Sequence, residues 1–195
     1  MDTLSCLEYL RQHFGQMGIP CYLEPAGKDN PFPLLLFPIR ELMESYPEEA
    51  ASMVMFFAQP EAGGCRELKL QLLHITAYLG QVEEERVRDE LRRYFAHINS
   101  QLPVGSFAVD GKGTLYYGYN LPVPEKEDTL RFLQQAAGAY ALMRSALSMF
   151  LLRAMEVKTG KTTAEQAINF LRQDVARAEA LLQAALKGEQ QDGNV

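Results

Sequence analysis

One dipeptide constrains this chain more than any other feature. Asp110-Gly111 sits between two β-rich runs, Gly105 to Val109 and Thr114 to Tyr119. Asp-Gly tolerates the positive φ that a tight turn between antiparallel strands demands, so the stretch reads as a β-hairpin. Gly113 gives the turn a second flexible position. The outgoing strand, Thr114-Leu115-Tyr116-Tyr117-Gly118-Tyr119, is rich in aromatic residues suited to cross-strand packing. Pro122 and Pro124 are expected to end it. Antiparallel sheet is therefore present, and the rest of the chain has to be fitted around it.

Four more extended segments precede the hairpin: Cys21 to Leu23, Phe32 to Ile39, Met53 to Ala58 and Leu68 to Ala77. The second is punctuated by Pro33 and Pro38, which places it at a sheet edge or breaks it there. In the fourth, the alternation changes phase near Leu72, which predicts a bulge or a strand buried on both faces. Glu41 to Glu49, acidic and polar, reads as a helical turn or loop. Helical periodicity marks the remainder. Leu4, Leu7, Leu10 and Phe14 give a first helix over residues 3–17, capped by Asp2 or Thr3. Residues 81–99 open on Glu83, Glu84 and Glu85 and close on Arg92, Arg93 and His97, an order that suits the helix dipole. Glu84–Arg88 and Asp89–Arg93 are spaced as i, i+4 ion pairs. Asp128 caps a helix to about Val157, roughly 42 Å long. Gly160 breaks it, and Thr162-Thr163-Ala164-Glu165 matches a capping box for a last helix reaching Lys187.

The resulting expectation is an α+β fold, an antiparallel sheet packed with helices in the order α-β-β-β-α-β-β-α, with an extra C-terminal helix. The domain would span residues 1–157, the appended helix 158–187 would pack on the helix before it, and 188–195 would be a disordered tail. The 195 residues suit one domain. Nineteen Lys and Arg against 25 Asp and Glu leave a net charge of −6, which speaks against non-specific nucleic-acid binding and against adhesion to an anionic membrane. No apolar run approaches the roughly 20 residues of a membrane span, and Met1-Asp2-Thr3-Leu4 lacks the basic start of a signal peptide.

Catalytic and metal chemistry find little to build on. The three cysteines, Cys6, Cys21 and Cys65, form no CxxC pair, and His13, His74 and His97 are far apart. That argues against a zinc site and a disulfide framework and for a reducing, cytoplasmic setting. Gly160-Lys161-Thr162 resembles the end of a phosphate-binding loop, but the glycine that pattern needs five residues earlier is Met155. No GxSxG, HExxH or GxGxxG occurs. No catalytic residue and no cofactor are expected.

Element order and one local motif carry a resemblance. Ile98-Asn99 ends a helix, Gly105-Ser106-Phe107 opens the next strand, Asp110-Gly111 turns, and Leu121-Pro122 follows the second strand. This arrangement, over about residues 3–155, resembles the YbjN family and the related class I type III secretion chaperones. The resemblance implies a non-catalytic, acidic, cytoplasmic homodimer that holds a segment of a client protein on apolar helix and sheet surface, or a regulatory protein of that fold. On this reading the apolar strands and the first helix are the candidate client-binding elements, with Leu34, Leu36, Met53, Met55 and Phe57 as the candidate contacts. A small-molecule sensor or enzyme, with its pocket between the sheet and the 128–157 helix, is the alternative expectation. A third is an assembly surface on the helical hairpin 128–187.

Overall fold

A computed structural model describes residues 2–28, 30–39, 52–58, 70–124 and 128–192. The expected segment at Glu41 to Glu49 and Cys65 lie outside these residues. Helix α1 spans Thr3–Gln16 and is followed by strands β1 (Tyr22–Glu24), β2 (Leu34–Pro38), β3 (Ser52–Ala58) and β4 (Leu70–Gln81). Helix α2 (Glu85–Asn99), the hairpin β5 (Ser106–Val109) and β6 (Thr114–Pro124), and helices α3 (Thr129–Lys158) and α4 (Ala164–Asp192) complete the chain.

The six strands form one sheet in the order β1-β2-β3-β4-β6-β5, every neighbouring pair antiparallel. The first four strands run as a meander. Helix α2 then carries the chain across, and the hairpin joins with β6 beside β4. The α+β class and element order match the sequence expectation.

Local chemistry explains the element ends. Asp2 accepts from the Ser5 backbone N–H (3.2 Å) and Asp128 from that of Leu130 (3.0 Å), each capping its helix. The hairpin turn is one residue longer than Asp110-Gly111 alone implies. The Gly113 N–H donates to the Asp110 carbonyl (3.1 Å), the Asp110 N–H to the Thr114 carbonyl (3.0 Å), and Gly113 sits at φ 87°. Such a three-residue loop needs glycine at its left-handed position. The Asp110 carboxylate accepts from the N–H groups of Lys112 and Thr114, which hold its pKa below the usual value.

The prolines of β6 depart from the expectation, whereas those of β2 bound the strand. β6 continues through Pro122 to Pro124, because β5 reaches only to Gly118 and leaves β6 without a neighbour on that side. β2 is interior rather than an edge, but it runs only from Leu34 to Pro38 and so breaks at Pro33 and Pro38, the other expected outcome; β1 pairs only with Leu34 to Leu36, so Pro38 lies beyond its reach. In β4 the irregularity falls between Tyr78 and Gln81, at Gly80 (φ 94°), not near Leu72. The capping box lies one residue later than expected. The Gln166 side chain accepts from the Thr163 N–H (3.0 Å), and Thr163 Oγ1 accepts from the Gln166 N–H (3.3 Å). α4 runs to Asp192, past the expected end at Lys187, since Glu189, Gln190 and Gln191 are good helix formers that offset Gly188.

Helices α1, α2 and α3 pack as a layer against one face of the sheet, and α4 packs on α2 and α3. Leu35, Phe37, Met53, Met55, Phe57, Leu73, Ile75 and Tyr117 point into that layer and are buried. Phe14 meets Phe37 edge-on at 4.9 Å, and Tyr140 of α3 lies 4.8 Å from Phe37 and 5.1 Å from Phe14. Phe132 of α3 lies 6.2 Å from Phe57. On α2, Val87, Leu91, Tyr94, Phe95 and Ile98 are buried, the stripe that the sequence predicts. None of its ion pairs has the expected i, i+4 spacing: Arg88 pairs with Glu85, Arg92 with Asp89 and Arg93 with Glu90 at i, i+3, and Arg92 also reaches Glu85. Tyr117 stacks on Phe107 at 4.2 Å and donates to the Val104 carbonyl (2.7 Å), and burial pushes its pKa up to about 12.

Candidate functional site

Side chains alternate between the two faces of a strand, so a sheet with one face under helices presents its other residues on the opposite side. The register places Tyr22 and Glu24 of β1, Leu34 and Leu36 of β2, Val54 and Phe56 of β3, Leu72, His74, Thr76 and Tyr78 of β4, and Tyr116, Gly118 and Asn120 of β6 together there. Among the described residues no helix packs on this outer face. Glu24 is the only charged side chain that the described strands contribute to it, although the chain carries a net charge of −6. An apolar, nearly uncharged face of this breadth is unusual on a monomer, where surface apolar residues are mostly scattered.

The centre of the face is a row of parallel rings. Phe56 stacks on His74 at 5.1 Å with the planes 13° apart, and Phe32, from the loop before β2, stacks on Phe56 at 6.3 Å and 14°. Burial lowers the His74 pKa, so its imidazole is held neutral beside the phenyl ring. Beside this row is an open hollow of about 290 Å³, lined by Asn30, Pro31, Phe32, Leu34, Val54, Phe56 and Tyr78. Asn30 is fixed by donating to Glu24 Oε1 (2.6 Å). Tyr78, 43% exposed, lines the hollow, and Tyr22, 65% exposed, lies on the same face of the sheet.

The candidate contact residues divide between the two faces. Leu34 and Leu36 lie on the outer face and are half-buried. Met53, Met55 and Phe57 do not: they point into the helical layer, with Met53 and Met55 fully buried. These three are corrected to core residues. The same strand supplies Val54 and Phe56 to the outer face, one residue out of phase with the expected set. The first helix is corrected too, because Leu7, Leu10 and Phe14 of its expected stripe are buried together with Cys6, and only Leu4 is exposed. Phe32, His74 and Tyr116 were legible only as members of strands, and Tyr78 lies just past the expected end of its strand at Ala77, since the periodicity does not say which face the helices cover.

The expected pocket between the sheet and α3 is filled where the rings of Phe37, Tyr140, Phe57 and Phe132 meet. Cys6 and Cys21 are free thiols, and burial raises both their pKa values. Among the described residues no cluster of three or more His, Cys, Asp or Glu is placed to hold a metal ion, and no helix is long and apolar enough to cross a membrane. Both outer edges of the sheet are short, three residues in β1 and four in β5. Short edges leave little ladder for an added strand. Compared with known proteins, the chain matches no family model, and no curated protein is significantly similar to it.

Proposed function

We propose that this chain is a non-catalytic protein-binding module, chaperone-like or regulatory, which holds an apolar segment of a partner protein on the outer face of its sheet. One observation carries the reading: a stacked row of Phe32, Phe56 and His74 on a face that no described helix covers. Affinity at such a face comes from apolar burial, with anchor side chains seated in hollows contributing most. The 290 Å³ hollow suits one such anchor, being at the small end for a metabolite-sized ligand. Short edges favour docking on the face over addition of a strand. A cytoplasmic setting agrees with the free thiols of Cys6 and Cys21.

The test compares the wild-type chain with the double variant Leu36→Ser, Phe56→Ser as bait in lysate of the native host. Expected is a stoichiometric protein partner captured by the wild type and lost by the variant, with the melting temperature of the two proteins within a few degrees. A partner retained equally by both, or none with the wild type, defeats this assignment of the face.

A further inference from the structure

We propose that the partner segment carries a lysine or arginine beside its apolar anchor, and that Glu24 of β1 is the group that selects it. This rests on the outer face being the docking surface, and it adds what that face demands of its occupant. The six strands contain one charged residue, Glu24, and no Lys or Arg. His74 adds no charge, because burial disfavours its protonated form. One carboxylate therefore sets the electrostatics of a face whose strands are otherwise neutral.

That carboxylate is tied to the hollow. Glu24 stands opposite Leu34 in the register, and Leu34 lines the hollow with Phe32 and Phe56. Asn30 lines it as well and donates to Glu24 Oε1 at 2.6 Å. The loop that carries Asn30 is braced, since the Gly27 N–H donates to the Asn30 carbonyl (2.7 Å). Asn30 takes up one carboxylate oxygen. Glu24 is exposed, and its Oε2 has no partner among the described residues. Successive Cα atoms of a docked chain are about 3.8 Å apart. A long basic side chain next to an anchor in the hollow therefore reaches past Asn30 to the free oxygen.

The same inventory decides among occupants. A second copy laid face to face brings another Glu24 and no cation from its strands, so both carboxylates would be covered without a partner. An anionic lipid surface finds no basic side chain on these strands. It would also cover Thr76, Asn120 and the hydroxyls of Tyr78 and Tyr116, which have no hydrogen-bond partner among the described residues. A protein segment meets both needs: its backbone pairs with these neutral groups, and its basic residue pairs with Glu24. The net charge of −6 draws a basic segment in. Docking by side chains on the face also suits the open edge of β6 beyond β5, where Pro122 and Pro124 offer no N–H to an added strand.

The experiment titrates the full chain, by fluorescence anisotropy at low ionic strength, against three capped peptides. They share a Leu-Phe-Leu core between glycine and serine residues and differ only in the residue after the core: lysine, glutamine or glutamate. Expected is binding that the Leu36→Ser, Phe56→Ser variant loses, with the lysine peptide about fivefold tighter than the glutamine peptide and the glutamate peptide about fivefold weaker. Glu24→Gln keeps an acceptor for Asn30 and brings the three within about twofold, and Glu24→Lys inverts their order. Glu24 is exposed, so both variants keep the circular dichroism of the wild type. Equal binding of the three peptides to the wild type, or a lysine preference that survives Glu24→Gln in full, overturns the proposal and leaves the outer face standing as the docking surface. Binding that the Leu36→Ser, Phe56→Ser variant retains, or no binding of any peptide, overturns both.

Discussion

The two faces of the sheet are built from the same kinds of residue and meet different fates. Leu73 and Leu72 are neighbours in β4, yet Leu73 is fully buried under the helices and Leu72 is only half-buried on the outer face. Met55 and Phe56 in β3 repeat the contrast. Hydrophobicity alone does not separate residues that hold the fold from residues free to meet a partner. Depth under the helical layer does, and an apolar face left at the surface is the informative exception.

The largest effect that tests this contrast comes from adjacent truncations. Leu73→Ala opens a cavity beneath the helices and should cost about 2–5 kcal/mol in chemical unfolding, while Leu72→Ala should cost less than about 1 kcal/mol. Equal losses would erase the distinction between the faces. Asn99→Ala comes next. Its side chain donates to the Phe107 carbonyl (2.9 Å) and accepts from the Phe107 N–H (2.8 Å), fixing β5 under α2. The loss should be about 1–3 kcal/mol, with partner capture by the outer face unchanged. Thr163→Ala removes the α4 cap and should cost about 1 kcal/mol of thermal stability.

The smallest expected effect is a pH dependence confined to the outer face. Burial lowers the folded-state pKa of His74 below the ordinary imidazole value of 6.5. The unfolded chain then binds the proton more readily, so this group leaves stability untouched above pH 6.5. It lowers stability as pH falls through 6.5, until the folded form is protonated as well. A protonated His74 also places a charge in the stacked row, so partner capture should weaken at the acid end of that range, once the folded form is protonated. His74→Gln should flatten both profiles between pH 7.5 and 5.5, measured by melting temperature and by binding.

Much of this was legible in the sequence because it was periodic. The stripe of α2, the caps at Asp2 and Asp128 and the hairpin at Asp110 all depend on residues close in the chain. What stayed hidden depends on residues far apart. Period-two alternation in β3 separates Met53, Met55 and Phe57 from Val54 and Phe56, but only the position of α1 and α3 decides which set is covered. Pro122 reads as a strand end until β5 is known to stop opposite Gly118. Thr162 and Thr163 are equally good caps on paper, and the choice falls to Thr163 through Gln166. The outer face itself has no motif, so the sequence did not separate Leu34 and Leu36, which lie on it, from Met53, Met55 and Phe57, which are buried.

The tip of the hairpin carries a consequence for the order of assembly. A Cβ on Gly113 would lie 2.0 Å from the Val82 carbonyl oxygen, so two backbones touch where only glycine fits. The Val82 N–H donates to the Gly113 carbonyl (2.8 Å), Gln81 reaches the Lys112 carbonyl (3.1 Å), and Arg88 donates to the Val82 carbonyl (2.9 Å). These bonds close a loop of modest length around α2, at a small entropic cost. The contact of Phe14 with Tyr140 must instead bring distant parts of the chain together. Short closures precede long ones when topology governs rate. The segment from Val82 to Gly118 is therefore placed to collapse early as a seed, with α1 arriving against α3 as a late event. Gly113→Ala would slow the first step, whereas Phe14→Ala would mainly hasten unfolding.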